Sequence, residues 1–374
     1  MNRVGAYIHI PFCEKKCYYC DFAAFPNLEN WIGNYVDNLI KEISLYREKM
    51  DLIIDSIYIG GGTPSYIDPI FIEKIVGEIF KFKTDIKEFT IEANPKSLSK
   101  EKLKVYNNLG INRISLGVQS FDDQVLKNIG RNHTRDIALG DIEMIREAGF
   151  DNLSFDLMLN LPGQDFESVK KDLDFVKKLD PDHISWYSLI LDKGSKFYAL
   201  DQKGELDLMD DDLEVDIFSF LVDELEKIGL KRYEISNFAK DGHESFHNKK
   251  YWNQEGYLGL GISAAGYLSN TRYNNTANLA IYDRILKENR LPIINKDFVD
   301  KNESEKEYII FKLRETHGIS LSEFKKIYGS EFLEKYKNVI GKFAGDDFYK
   351  IENGRFFLTK NGLSLSNEFF IEII

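Results

Sequence analysis

The chain has 374 residues, 43% hydrophobic and 29% charged, and carries a formal net charge of −12 at pH 7. The acidic balance argues against a general nucleic-acid binder, which needs a basic footprint. No apolar run approaches ~20 residues, so no transmembrane helix is predicted, and VGAYIHIPF at residues 4–12 is too short for a signal peptide. We therefore expect a cytoplasmic protein, with peripheral attachment to a membrane left open.

Short β-rich runs alternate with amphipathic helical runs over the first 236 residues. Strands are predicted to begin at Val4, Asp55, Glu88, Ile111, Asn152 and Asp182. The helical runs between and after them cover residues 29–49, 70–83, 99–109, 121–147, 165–179 and 210–229. This α/β alternation predicts a parallel sheet with helices outside it. Six units are fewer than a complete eight-unit barrel, so a partial (β/α)6 barrel over residues 1–236 is favoured over a doubly wound sheet.

The pattern changes after residue 236. Residues 237–300 are rich in Gly, Asn and aromatic residues, and we predict an irregular region packed on the barrel mouth. From residue 301 to 374, helical segments precede a hairpin with its turn at Asn353–Gly354. This order predicts a smaller C-terminal α+β winged-helix-like domain. Its lysines are balanced by acids, which favours a structural or docking role over DNA binding.

The only three cysteines of the chain, Cys13, Cys17 and Cys20, form a CxxxCxxC loop after the first predicted strand. Three thiols cannot pair into disulfides without leaving one over, and nothing in the sequence looks secreted. They can converge on a four-iron cluster and leave one iron open to a small molecule. Structural zinc is the alternative, but it would need His9 or Asp21 as a fourth ligand and prefers two separated ligand pairs.

Polar or glycine residues follow five successive predicted strands, and parallel β/α sheets bind ligands at that edge. These strand ends are Tyr7 with His9 and the cysteine loop, Gly60 to Pro64, Glu92, Gln119, and Asp156. Adjacent glycines expose backbone groups that no side chain shields, or they form a plain tight turn.

The polar side chains at these strand ends suit different parts of a ligand. Glu92 and Asp156 suit ribose hydroxyls because an ionised carboxylate only accepts hydrogen bonds, although either could be a helix cap or a surface charge. Gln119 could bond an adenosine or a carboxylate. Arg131, in GRNHT, could pair with a ligand carboxylate or form a surface salt bridge.

The cysteine loop followed by GGGTP after the second strand resembles the radical S-adenosylmethionine (SAM) superfamily. The motifs YIHIPFC, GGGTP, IEANP, SLGVQSF and DLMLNLPGQ, over roughly residues 4–270, resemble the oxygen-independent coproporphyrinogen III oxidase and its relatives. The oxidase has a fourth cysteine two residues after the third, where this chain has Phe22. Phe22, and the HNKKYW segment that starts at His247, instead resemble the family's heme-chaperone (HemW-type) branch with its HNxxYW motif.

This resemblance implies a [4Fe–4S] cluster on the three cysteines, whose open iron binds SAM and reduces it to a radical. It implies that Gly61, with its neighbours Gly62 and Thr63, orients the methionine end of SAM, and that Tyr7 and Glu92 help to fix the ligand. Residues that match contacts to a second SAM are Gln119, Arg131 and Asp156. The HNxxYW motif makes His247 the candidate heme ligand, with His243 as the alternative. On physical grounds, a lone histidine in an aromatic loop is more often a hydrogen-bonded structural residue.

The resemblance favours a heme chaperone that transfers heme to respiratory hemoproteins and depends on a low-potential electron donor. Coproporphyrinogen oxidase activity is then not expected, and enzymatic activity of another kind is left open. The first alternative is an oxidase that decarboxylates the propionates of coproporphyrinogen III in heme biosynthesis. The second is a non-catalytic zinc or iron–sulfur module. The sequence also leaves open a homodimer.

Overall fold

The computed structural model describes residues 2–345 and 347–374, so residue 1 of the predicted core and residue 346 of the predicted C-terminal domain lie outside the described residues. Seventeen strands are described over these ranges. In chain order they are β1 (Asn2–Ile10), β2 (Phe12–Cys13), β3 (Phe25–Pro26), β4 (Leu52–Gly61), β5 (Lys83–Ala93), β6 (Arg113–Gln119), β7 (Leu153–Leu159), β8 (His183–Ser188), β9 (Lys231–Arg232), β10 (Asn237–Ala239), β11 (Tyr257–Leu260), β12 (Ala265–Leu268), β13 (Thr271–Asn275), β14 (Ile293–Phe298), β15 (Ile319–Ser320), β16 (Tyr349–Glu352) and β17 (Arg355–Leu358).

Sixteen α-helices are described over the same ranges. They are α1 (Ile32–Lys49), α2 (Pro69–Ile79), α3 (Lys100–Asn108), α4 (Asp123–Asn128), α5 (Arg135–Glu147), α6 (Phe166–Leu179), α7 (Lys196–Asp201), α8 (Asp211–Lys227), α9 (Phe246–Trp252), α10 (Leu279–Lys287), α11 (Lys301–Arg314), α12 (Leu321–Tyr328), α13 (Phe332–Lys335), α14 (Lys337–Lys342), α15 (Lys360–Ser364) and α16 (Ser366–Ile373). In the described part of the chain, we find no helix with the length and apolar character needed to cross a bilayer.

Six neighbouring parallel strands form the centre of the molecule. They stand in the order β1-β4-β5-β6-β7-β8, and every adjacent pair is parallel. Helices α1 to α6 connect or flank these strands along the chain, which confirms the predicted partial (β/α)6 barrel. The complete twelve-stranded sheet continues through β11 to β14 beside β1 and through β10 and β9 beside β8.

Each central strand presents an apolar face to the helices and a polar face to the barrel interior. In β6, Ile114, Leu116 and Val118 are buried in the hydrophobic core. The alternate residues include Arg113 and Ser115, and Ser115 bonds Asp156 of the neighbouring strand. Because successive strand side chains point to opposite faces, this alternation gives the barrel a polar interior lined by titratable groups.

The predicted helix over residues 121–147 is two helices, α4 and α5. Gly130 has a φ of 77°, which ends the first helical run, and a side chain there would meet the ring of Tyr18. Thr134 then caps α5 by accepting a hydrogen bond from the backbone of Ile137. The interruption places Arg131 in a loop beside the cysteines. In a continuous helix, Arg131 would instead lie in the outer helical layer.

The prediction of an irregular region over residues 237–300 is wrong, because this segment forms five strands and two helices. Strand β11 pairs in parallel with β1, and β12 to β14 continue as an antiparallel extension. The glycines that suggested a loop serve close packing instead. A Cβ at Gly259 would lie 1.9 Å from the carbonyl oxygen of Ala265, and one at Gly266 would lie 2.1 Å from the ring of Tyr273.

The C-terminal segment contains helices followed by the predicted hairpin. Strands β16 and β17 pair antiparallel around Asn353 and Gly354, which both have positive φ, as a type I′ turn requires. Strand β15 pairs with β17 to complete a three-stranded sheet. This segment has its own hydrophobic cluster between Tyr308 and Ile373, separate from the cluster of the barrel. The domain boundaries at residues 236 and 300 stay predictions.

A buried carboxylate ties α1 to the segment after the barrel. Glu42 is fully buried and accepts hydrogen bonds from Tyr282, from the amide of Gly261 and from Asn275. Burial is the largest cause that raises its pKa from 4.5 to about 7, against the lowering effect of these donors. The folded state therefore holds the Glu42 proton more tightly than the unfolded state does between about pH 4.5 and pH 7.

This titration predicts a stability difference that depends on pH. Because the folded-state pKa is raised, wild-type stability should fall as pH rises from 5 to 8, relative to Glu42→Gln, which cannot titrate. Between pH 5 and pH 8, the difference in the free energy of unfolding between the wild-type protein and Glu42→Gln should change by at most about 3 kcal/mol. Urea unfolding at both pH values measures it, with Glu48→Gln, at an exposed site on the same helix, as control. A difference that does not depend on pH would contradict the raised pKa of Glu42.

Candidate functional site

A cavity of about 370 Å³ lies at the carboxyl ends of the central parallel strands. Ten of the twelve predicted site residues line it. They are Cys13, Cys17, Cys20, Gly61, Gly62, Thr63, Glu92, Gln119, Arg131 and Asp156. The other two, Tyr7 and His247, are not among its lining residues. Strand-end reasoning thus places most of the predicted residues together, as the geometry of a parallel sheet requires.

The cysteine loop is anchored to the barrel on both sides. The amide of Tyr18 donates to Ile129 O (3.1 Å), and the amide of Phe197 donates to Tyr18 O (3.0 Å). All three cysteines are free thiols. Burial raises the pKa of Cys13 and, to about 11, that of Cys20. Such thiols are protonated at neutral pH, so their use as thiolates requires a metal to displace the proton.

A chain of hydrogen bonds connects two of the cysteines. Asn94 Nδ2 donates to Thr63 Oγ1 (2.8 Å), and the Thr63 hydroxyl shares a hydrogen bond with Cys13 Sγ (3.3 Å), in which Thr63 is the donor once Cys13 is a thiolate. Arg131 donates to Asn94 Oδ1 (2.9 Å) and, through Nη1, to Cys17 Sγ (3.5 Å). Hydrogen bonds to ligand sulfurs orient them and tune an iron–sulfur centre. Asn94 was not predicted as a site residue, although it stands in the same IEANP motif as Glu92.

Arg131 makes a further hydrogen bond through Nη2 and has one nitrogen, Nε, without an acceptor among the described residues. Its Nη2 also donates to the carbonyl oxygen of Gly117. Its Nε is buried and has no hydrogen-bond partner among the described residues. A buried donor without a partner is costly, and this one belongs to a residue that lines the cavity.

The glycines of GGGTP were predicted to expose backbone groups to a ligand, but the backbone amides of this segment bond within the protein. The amide of Gly61 donates to Glu92 (3.0 Å), that of Gly62 to Ile10 O (2.8 Å) and that of Thr63 to Phe12 O (2.9 Å). These N–H groups are therefore engaged within the protein. Close packing explains the glycines, since a Cβ on Gly62 would lie 3.0 Å from Cys13 Sγ. Gly61 has a φ of 118°, and a Cβ there would lie 2.7 Å from the ring of His9.

Two partly buried carboxyl groups line the cavity beside the glycines. Glu92 accepts from Tyr58 Oη (2.8 Å) and from the Gly61 amide, and both oxygens of Asp156 accept from Ser115 Oγ (3.0 and 3.1 Å). Burial first, and then repulsion from Asp156, raises the pKa of Glu92 to about 7. Burial likewise raises the pKa of Asp156. Both groups retain acceptor capacity for a bound ligand.

Gln119 reaches the cavity through an unusual backbone conformation. Its φ is 69°, and the register of β6 against β7 shifts between Leu116 and Gln119. A register irregularity of this kind redirects a side chain at the end of a strand. Tyr187, which also lines the cavity, was not singled out in the sequence, because a tyrosine in a strand is ordinarily core.

Tyr7 and His247 lie in the polar barrel interior, outside the cavity lining. Tyr7 bonds His9 Nδ1 (3.0 Å). His247 is fully buried on α9, with Nδ1 bonded to Ser56 Oγ (2.8 Å) and Nε2 to Tyr251 Oη (2.9 Å). Burial lowers the pKa of His247 to about 3. Both ring nitrogens are engaged, so iron ligation would require His247 to give up one of these bonds.

The cysteine cavity suits an iron–sulfur cluster by its donor set. Three free thiols line one cavity, two of them already make hydrogen bonds, and the buried Nε of Arg131 lacks an acceptor among the described residues. Over residues 2–345 and 347–374, no three His, Cys, Asp or Glu side chains form a group that could hold a metal ion. A four-iron cluster instead binds each thiolate through a different iron.

Comparison with known proteins agrees with this fold. The radical SAM superfamily model matches residues 7–176, and the model of the HemN C-terminal domain matches residues 299–365. The structure resembles the coproporphyrinogen III oxidase HemN from Escherichia coli, with a TM-score of 0.87 and 20% identity over 100% of this chain and 90% of that chain. The barrel, its cysteine loop and the extra domain therefore define a radical SAM protein, a superfamily whose members use a [4Fe–4S] cluster and SAM.

Sequence relatives narrow the assignment. The heme chaperone HemW of Bacillus subtilis is 37% identical over 98% of both chains. That of Lactococcus lactis is 36% identical over 98% of this chain and 96% of its own. The chain belongs to the HemW family.

Proposed function

We propose that this protein is a heme chaperone that binds heme, a [4Fe–4S] cluster and SAM, and transfers heme to respiratory hemoproteins. The observation that carries the proposal is the match, over 98% of both chains, to the heme chaperone HemW of Bacillus subtilis. Phe22 in the position of the oxidase's fourth cysteine points the same way. The recipients, the low-potential electron donor, a homodimer and peripheral attachment to the membrane remain predictions.

Within this proposal, the cavity residues have distinct roles. Cys13, Cys17 and Cys20 would hold the cluster, which supplies an open iron and a one-electron reductant when bound. Thr63 and Arg131 would hold two of the thiolates in place through the hydrogen bonds that they donate. The remaining residues would contact SAM, and they are Gly61, Gly62, Glu92, Gln119 and Asp156. These side chains would position the ligand and exclude water from it.

One anaerobic experiment distinguishes the proposal from the oxidase alternative. The reconstituted protein is titrated with heme, and the same sample is incubated with SAM, a reductant and coproporphyrinogen III. We expect saturable heme binding and no decarboxylated product. Product formation would make the protein an oxidase without the fourth cysteine, and the absence of heme binding would refute the chaperone proposal.

The hydrogen bond from Thr63 to Cys13 predicts a change in the potential of the cluster. Thr63→Val keeps the shape of the side chain and removes the donor. Because hydrogen bonds to ligand sulfur favour the reduced cluster, the potential should become more negative by about 40 mV, the equivalent of a ~1 kcal/mol hydrogen bond. A redox titration measures it. Thr276→Val, at a buried threonine outside the cavity lining, is the matched control and should leave the potential unchanged.

A further inference from the structure

We propose that Arg113 is a positioning residue for SAM, because its guanidinium is the buried countercharge of the carboxyl groups of Glu92 and Asp156. Arg113 does not line the cavity and acts through these two groups. The inference rests on the proposed function, which assigns both carboxyl groups to SAM. It adds a residue of the barrel interior that the sequence did not single out.

Arg113 is a buried cation without an ion-pair partner. It begins β6 and is only 1% exposed. Over residues 2–345 and 347–374, no carboxylate forms an ion pair with Arg113, and its Nε has no hydrogen-bond partner. Burial of an unpaired charge is costly for folding. Proteins keep such costly groups chiefly where function requires them, so the surroundings of Arg113 indicate its role.

The strand order places Arg113 in the barrel interior between the two carboxyl-bearing strands. Strand β6 stands between β5, which carries Glu92, and β7, which carries Asp156. Side chains two residues apart on a strand share a face, so Arg113 shares the interior face with Ser115, which donates to both oxygens of Asp156. On the other side, Arg113 is opposite Thr90 of β5.

Arg113 acts on both carboxyl groups. Burial raises the pKa of both groups, to about 7 for Glu92, and the positive charge of Arg113 opposes this rise in each. Repulsion from Asp156 also raises the pKa of Glu92. A cation between the two strands therefore favours the state in which both groups are ionised. In that state they offer acceptors to the ribose hydroxyls and negative charge to the sulfonium of SAM.

The titratable neighbours of this group are mostly neutral. The tyrosines are Tyr7, Tyr58, Tyr187, Tyr233 and Tyr251, and burial raises the pKa of each. The histidines are His9, His183 and His247, and burial lowers the pKa of each. All of these side chains are uncharged at neutral pH, so none of them supplies a countercharge.

The other charged groups of the interior are held by partners of their own. Glu88 accepts hydrogen bonds from the first amides of α9, and Lys250 pairs with a carboxylate of β4. Arg131 also acts on Asp156 electrostatically, but its guanidinium bonds the cysteine loop. Arg113 forms no ion pair among the described residues, so its charge is available to the carboxyl groups.

Arg113→Met tests the countercharge, because methionine is long and unbranched but uncharged. Loss of the nearby positive charge should raise the pKa of Glu92 by about one pH unit. The Kd for SAM should then rise about fivefold at pH 7 and lie within about twofold of the wild-type value at pH 8.5, where Glu92 is mostly ionised in both proteins. Calorimetric titration of the reconstituted proteins with SAM at both pH values measures the change.

Two further variants control for charge and for general effects. Arg113→Lys keeps the positive charge and should retain the wild-type pH dependence. The matched control is Arg314→Met, because Arg314 also has a buried Nε without a partner among the described residues and lies on α11, outside the cavity lining. It should leave both Kd values unchanged. If Arg113→Met does not fold, Arg113→Gln carries the test.

A purely structural role of Arg113 predicts a different result. Arg113→Met would then melt at a lower temperature and weaken SAM binding equally at pH 7 and pH 8.5. According to our inference, Arg113→Met should be at least as stable as the wild-type protein, because an apolar side chain replaces an unpaired buried charge. Equal weakening at both pH values, or unchanged affinity at pH 7, would overturn the inference.

A measurement without any ligand separates this inference from the proposed function. In the cluster-free protein with 13C-labelled carboxyl groups, an NMR titration follows the ionisation of Glu92, and Glu92→Gln identifies its signal. The midpoint should lie about one pH unit higher in Arg113→Met than in the wild-type protein. If the reconstituted wild-type protein binds neither SAM nor heme, the proposed function fails even when this shift is found. An unchanged midpoint would refute the role of Arg113 itself.

Discussion

Replacing Cys17 with serine should remove nearly all of the iron and sulfide that the wild-type protein takes up on anaerobic reconstitution, about four of each per chain for a [4Fe–4S] cluster. The three cysteines are the only ones in the chain, so no other thiol can take over as a ligand. A serine hydroxyl is a hard donor with a high pKa and replaces a thiolate poorly on iron–sulfur iron. Chemical analysis of iron and sulfide on the purified variant measures the loss.

Thr63→Val is the control for this experiment. It changes the cavity next to Cys13 but leaves all three thiols, so it should retain iron and sulfide at the wild-type level. Retention of the full iron content by Cys17→Ser would contradict the ligand assignment. Zinc in the wild-type protein in place of iron would favour the structural zinc site, for which His9 or Asp21 was the fourth ligand.

The central fold and most of the cavity were predictable because both depend on short-range patterns. Alternating strand and helix runs specify a parallel sheet, and a parallel sheet brings the ends of its strands to one edge. Glu92, Gln119 and Asp156 are far apart in sequence. Glu92 and Gln119 lie at or next to the ends of β5 and β6, and Asp156 lies in the middle of β7. Their meeting in one cavity follows from the parallel order of these neighbouring strands.

The roles of the glycines could not be predicted, because they depend on contacts between distant segments. Gly62 packs against Cys13, and Gly266 packs against the ring of Tyr273. The sequence alone does not distinguish a glycine in a turn from a glycine that packs closely against another side chain. The glycines of residues 237–300 were therefore interpreted as signs of irregular structure. The same limit applies to His247, whose partners Ser56 and Tyr251 lie on β4 and α9.

The hydrogen-bond partners of the cavity were missed for a related reason. Asn94 and Tyr58 are ordinary polar and aromatic residues that carry no chemical signature of their own. Their positions show their importance, since Asn94 bridges Thr63 and Arg131, and Tyr58 donates to Glu92. The available signal was position, because Asn94 stands two residues after Glu92 and Tyr58 stands two residues before the glycines.

Glu92→Gln should weaken SAM binding by about ten- to one-hundredfold, the range expected when a hydrogen bond to a charged group is lost. The carboxylate of Glu92 lines the cavity and is held in position by Tyr58 and Gly61. SAM carries a positive sulfonium, which an ionised carboxylate stabilises in a buried site. Because burial raises the pKa of Glu92 to about 7, the wild-type affinity should increase from pH 6 to pH 8 as the group ionises. Calorimetric titration of the reconstituted protein with SAM at both pH values measures the two effects.

Asp172→Asn separates the role of Glu92 from a general effect of neutralising a buried acid. Burial also raises the pKa of Asp172 to about 7. This carboxyl group accepts from Ser120 Oγ and the amide of Phe121, and Asp172 does not line the cavity. Its variant should lose stability but bind SAM with unchanged affinity and unchanged pH dependence. If both variants weakened SAM binding equally, Glu92 would act by supporting the barrel, and its assignment as a SAM contact would be wrong.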